Sequence, residues 1–130
     1  MMTDRTLRVL EFNKILSRLA ESAVTEMGRE KCMALRPTDN LALAEDMLQE
    51  TEEAQVILTY LGESPLIPFN DVRHSLTIAA KGGVLGMKAL LDIARCLSAA
   101  RAARTALVTD RENTPRLTRL ASNLQTFRML

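Results

Sequence analysis

Phe12, Ile15, Leu16 and Leu19 recur at i, i+3, i+4 and i+7, the spacing that lines one face of an α-helix, and predict an amphipathic helix over about residues 11–21. Leu7 and Leu10 ahead of it read as a short lead-in turn. A second helix is predicted over about 25–35, with Thr25 as its N-cap and Val24, Met27 and Leu35 turned inward. It must finish near Arg36, because Pro37 disfavours the α conformation at the residue before it. Gly28 falls inside that helix at a cost of about 0.5–1 kcal/mol relative to Ala, and a close helix–helix crossing is the expected reason for it.

Asp39 and Asn40 can cap the longest predicted helix, about 41–61, which Gly62 stops. Its expected inward stripe is Leu41, Ala44, Met47, Leu48, Ala54, Ile57, Leu58 and Leu61, and each large aliphatic buried contributes about 1.5–3 kcal/mol. That outweighs repulsion among Glu45, Asp46, Glu50, Glu52 and Glu53, which are placed on the wet side as a solvated face. With Leu58 in the core, Leu58→Asp is expected to unfold the chain.

Pro65 and Pro68 make 63–69 an extended connector, after which Asn70 or Asp71 opens a short helix to about Ala80. Gly82 and Gly83 close it through a turn that needs positive φ. A helix of about 22 residues then starts at Gly86 and carries Met87, Leu90, Leu91, Ala94, Leu97 and Ala100. After a loop near 110–113, a last helix is capped by Thr114, has Pro115 at its first position, and is lined by Leu117, Leu120, Leu124 and Phe127. Phe127, Met129 and Leu130 carry no terminating residue, as expected where a longer protein is cut within a helix. The pattern therefore predicts an all-α bundle of about six to seven helices forming one domain over residues 1–130.

Composition agrees: the chain is 47% hydrophobic but only 3% aromatic, which favours helix over strand. The net charge of +1 hides a polarity, since 38–71 holds eight acidic side chains and no Lys or Arg, whereas 81–130 holds nine basic residues against Asp92, Asp110 and Glu112. Cys32 and Cys96 stand apart without CxxC or His spacing, so they read as buried thiols of a reducing compartment. With no signal-like or bilayer-length apolar run, the expected location is the cytoplasm.

Chemistry is mostly missing. GxxxxGK[ST], GxGxxG, HExxH and GxSxG are absent, so no nucleotide hydrolysis, no metal and no other catalysis is expected of these residues themselves. The lone His74 has no evident partner and is read as structural, and the acidic helix lacks the irregular loop that wraps a cation. Arg95, Arg101, Arg104, Arg116 and Arg119 are the candidates for contact with nucleic-acid phosphates; surface ion pairs or an interdomain contact are the alternative use of the same residues.

The run from Thr25 to Pro37, TEMGREKCMALRP, resembles the start of the helical core of MutS ATPases. The order of Leu10-Glu-Phe-Asn-Lys-Ile-Leu16, the Gly28 helix with Pro37, the acidic helix ending Leu61-Gly62, Pro68 to Asp71, and Gly82-Gly83-Val84-Leu85 narrows this to the N-terminal region of MutS type-two proteins. Gly86 departs from the pattern, which tends to Ser there, at a cost of a few tenths of a kcal/mol. The resemblance implies a core and lever region, with an ATPase domain using ATP and Mg and a Smr nuclease domain further along the parent. It also implies a homodimer that acts on branched or duplex DNA to suppress recombination, or on the ribosome and its rRNA to split collided ribosomes. A scaffold predicts apolar faces that other parts of the parent cover; an autonomous interaction module predicts salt-sensitive partner binding by one charged face.

Overall fold

The structure is a computed structural model that describes residues 3–108 and 112–124. Among these residues it is all-helical, with seven helices and no strand. The chain divides into two compact units, Met1–Asp46 and Met47–Leu130.

The first unit contains α1 (Asp4–Val9), α2 (Phe12–Glu21) and α3 (Glu26–Met33). The expected lead-in turn is thus a short helix, started by the Thr3 hydroxyl accepting the Thr6 amide at 3.2 Å. Glu11 reverses the chain into α2 in the left-handed region, at φ 57°, without help from glycine. α2 packs on α3 and α1, but it does so through Leu16, Ala20 and the half-buried Phe12, while Ile15 and Leu19 remain exposed. Two of the four residues of the expected stripe, Ile15 and Leu19, thus lie outside, and the small Ala20 is buried instead.

Thr25 caps α3 as expected, its hydroxyl accepting the Gly28 amide at 3.0 Å. That bond also accounts for Gly28. A Cβ there would lie 3.1 Å from Thr25 Oγ1 and 3.4 Å from the Ala23 Cβ. The glycine thus makes room for its own helix cap, not for a helix crossing.

The fourth helix, α4 (Leu41–Leu61), begins where Asn40 Oδ1 accepts the Leu43 amide at 3.2 Å and ends at Gly62, φ 77°. Its bounds match the expectation, but its facing does so only in part: Ile57 is buried and Ala44 and Ala54 are half-buried. Leu41, Met47, Leu48, Leu58 and Leu61 are exposed, and the buried residues are Ile57 and Glu53, the latter 7% exposed. Glu53 and Ile57 are one helical turn apart and share a side of the helix.

The second unit continues with α5 (Arg73–Ala80), α6 (Met87–Leu107) and α7 (Pro115–Ser122). α5 starts where Asp71 Oδ1 accepts the Arg73 amide at 3.0 Å. It stops in a Schellman arrangement, with the Gly82 amide bonded to the Ala79 carbonyl, the Gly83 amide bonded to the Ile78 carbonyl at 2.9 Å, and Gly82 at φ 80°. A Cβ on Gly83 would lie 2.5 Å from Ile78 Cγ2, so the second glycine is as necessary as the first.

α6 buries Ala99 and Ala103, and α7 meets it with Leu117 and Ala121. Small side chains let the two helices approach closely. Of the apolar residues expected to line α6, Met87, Leu90, Leu91 and Ala94 are exposed while Leu97 and Ala100 are half-buried; Leu120 of α7 is exposed as well. Phe127, Met129 and Leu130 lie outside the described residues.

α7 has no acid in its first turn, and its N-cap Thr114, though fully buried, makes no side-chain cap bond. Glu53 does that work from 64 positions away: Oε2 accepts the Leu117 amide at 2.9 Å, and Oε1 lies 3.6 Å from Arg116 Nη1. A helix N-terminus carries partial positive charge, so a buried carboxylate here gains a hydrogen bond, an ion pair and a favourable dipole together. At the other end of α7, Arg104 Nη1 donates to the Leu124 carbonyl at 3.0 Å.

Two predictions follow from this packing. Ile57→Asp destabilises the chain by about 3–5 kcal/mol, whereas Leu58→Asp, at a position 45% exposed, costs under about 1 kcal/mol; thermal melts followed by circular dichroism separate the two. Glu53→Ala strips both partners and lowers stability by about 2–3 kcal/mol, while Glu53→Gln, which keeps an acceptor for the Leu117 amide, loses roughly half as much.

Candidate nucleic-acid interface

The five arginines do not form one surface. At 100° per residue, Arg101 and Arg104 lie about 60° apart around α6, and Arg95 lies on the opposite side from Arg104. Arg95 and Arg101 are exposed; Arg104 is drawn in to the end of α7 by its bond to Leu124. On α7, Arg116 is half-buried against Glu53, and Arg119, one turn on, is exposed. Arg104 and Arg116 therefore serve the packing of α6, α7 and α4, and Arg95, Arg101 and Arg119 are exposed to solvent.

Glu45, Asp46, Glu50 and Glu52 are exposed on α4 as expected, but Glu53 is not part of that face. Its role was hidden from the pattern because a carboxylate among four others reads as solvated. The usable signals were its spacing of four from Ile57 and the absence of an acid in the first turn of α7, after Pro115. No group of three or more His, Cys, Asp or Glu among the described residues is placed to hold a metal ion. His74 is exposed on α5. Cys32 and Cys96 are free and only half-buried, and burial pushes the Cys96 thiol up, away from the reactive thiolate.

The charged group most shifted is Asp71. Hydrogen bonds from the Arg73 side chain, at 2.6 Å to Nη2, and from the Arg73 amide lower its pKa to about 2. The depressed value means that Asp71 favours the folded state above the ordinary carboxylate range and loses this contribution as pH falls toward 2. A carboxyl-detected NMR titration reads an Asp71 midpoint near 2, and Arg73→Ala returns it toward the ordinary value of 3.8.

Beside Arg95, the connector residues Ile67 and Pro68 and the α6 residues Leu91, Ala94 and Ser98 line an open hollow of about 550 Å3. No helix among the described residues is long and apolar enough to cross a membrane.

No known family profile matches the chain, and no solved structure does. Individual proteins do. Endonuclease MutS2 of Clostridium perfringens strain SM101 is 42% identical over 100 residues, covering 77% of this chain and 13% of that protein. Endonuclease MutS2 of Alkaliphilus oremlandii is 35% identical over 129 residues, 98% of this chain and 16% of that protein. The protein of the same name from Geobacillus thermodenitrificans is 38% identical over 120 residues, 92% of this chain and 15% of its own length. The chain thus spans about one-sixth or less of the relatives it matches. With identity of this level sustained along nearly all its helices, the chain belongs to the MutS2 family.

Proposed function

We propose that this chain is the N-terminal helical scaffold of a MutS2-type protein, a region that joins the parent's ATPase to its grip on nucleic acid and performs no catalysis itself. The observation that supports this reading is the uncovered aliphatic surface: α4 exposes Leu41, Leu48 and Leu58, and α6 exposes Met87, Leu90 and Leu91. Isolated apolar side chains at a surface are ordinary, but two helices presenting them in rows are suited to being covered by further protein. The parent, in this proposal, is a cytoplasmic homodimer that binds ATP and Mg outside these residues. It acts as a DNA-binding ATPase and endonuclease, on branched DNA in suppressing recombination or on the ribosome and its rRNA in splitting collided ribosomes.

Arg95, Arg101 and Arg119 are the cations this chain would contribute to a phosphate backbone. An autonomous protein-interaction module is the second reading, favoured by the separation of an acidic 38–71 stretch from a basic C-terminal third.

Fluorescence anisotropy of the chain and of its full-length parent, with labelled duplex, four-way-junction DNA and structured RNA at two salt concentrations, tests the proposal. A scaffold leaves the chain alone without measurable affinity while the parent binds; tight, salt-sensitive binding by the chain alone overturns it. In the parent, Arg101→Glu with Arg119→Glu weakens binding by about ten-fold and reduces the salt slope by about two, if these residues touch phosphate. Arg104→Glu shows up first in a lower melting temperature, because its guanidinium anchors Leu124.

A further inference from the structure

The two exposed apolar rows carry matching charge patterns. On α4, Leu41 and Leu48 are 72% and 64% exposed and lie seven residues apart, with Met47 and Leu58 widening the row. Glu45 and Glu52, also exposed and seven apart, run along one edge of it. On α6, Met87 and Leu91 are 85% and 51% exposed and continue into Ala94 and Ser98, small enough to admit a neighbouring backbone. Lys88 and Arg95, again exposed and seven apart, border that row. Among the described residues, none of these four charges has an ion pair or hydrogen bond. Asp92, which lies between the two cations, is held by Asn70 at 3.0 Å.

Seven residues of helix span about 10.5 Å, so two acids and two bases at this interval meet in register when their helices lie side by side. Within the second unit, Leu48 and Leu91 both look away from the buried residues of their own helices. On α4, Leu48 lies about 140° around the helix from Glu53 and 180° from Ile57, both of which face inward, and on α6 Leu91 lies about 80–120° from the buried Ala99 and Ala103.

We propose that α4 of one copy packs along α6 of a second copy, Leu41 and Leu48 against Met87, Leu91 and Ala94, with Glu45 and Glu52 paired to Lys88 and Arg95. Two copies satisfy both rows twice by a single two-fold operation, the self-complementary arrangement that closes without leaving a sticky face. The proposal rests on the scaffold reading, since it names what covers two of the exposed rows in the assembled parent.

The test uses the full-length parent with Cys32 and Cys96 replaced by Ser. A tagged chain bearing Leu48→Cys is co-expressed with an untagged chain bearing Leu91→Cys, and a short bismaleimide is added. A cross-link joining the two introduced cysteines, located by peptide mass spectrometry, is the expected result. Glu45→Lys with Glu52→Lys lowers its yield about ten-fold, and adding Lys88→Glu with Arg95→Glu restores it. A cross-link from either introduced cysteine to another part of the parent, in place of one between the two, overturns the pairing and leaves the scaffold reading standing. If both cysteines are alkylated in the parent as fast as a free thiol, the rows are uncovered and both readings fall; if nucleic acid alone slows their alkylation, the row is a nucleic-acid surface and the pairing is wrong.

Discussion

Glu53 is the contact on which the arrangement of α4 and α7 depends. α7 is eight residues long, begins with Pro115, and has neither an N-cap side-chain bond nor an acid in its first turn, so alone it has little reason to persist in water. The carboxylate from α4 supplies the missing acceptor, and Arg116 supplies a counter-charge that offsets the cost of burying it. With α7 so placed, Leu117 and Ala121 can close over Ala99 and Ala103, and Arg104 can reach Leu124. One polar interaction thereby ties α4 to the start of α7, whose other side packs on α6.

Local signals in the sequence were read well, because the chemistry that sets them is local. Asn40 and Gly62 bracket α4 at the expected residues, Thr25 caps α3, and Gly82 takes the positive φ that the turn requires. Facing was read less well. Hydrophobic periodicity assumes that large aliphatics seek the inside of the same chain; in α4 and α6 the buried positions are Glu53, Ile57, Ala99 and Ala103, while Leu41, Leu48, Leu58, Leu90 and Leu91 are left exposed. Alanine at a tight helix contact has almost no hydropathy to announce it, and a buried carboxylate announces the opposite of its location.

The candidate interface shows the same division. Arginine number and clustering are visible in the sequence, but whether a given guanidinium is spent inside the fold depends on partners far away in the chain. Arg104 and Arg116 are spent in this way, and their partners, the carbonyl of Leu124 and the carboxylate of Glu53, leave no mark near them in the sequence. The resemblance to MutS type-two proteins rests on the ordered succession of short segments, a property of the whole chain that does not depend on which way each helix faces.

The 64-residue separation between Glu53 and Leu117 also bears on how the chain folds. The Schellman closure after α5 and the Thr25 cap join residues a few positions apart and form on the timescale of single helices, microseconds or less. Capping α7 requires first closing a loop that contains α5 and all of α6, so the entropy of that closure falls before the contact rewards it. In a chain emerging from synthesis, α4 is complete long before its partner exists, and the Glu53 side chain stays in water until Leu117 arrives.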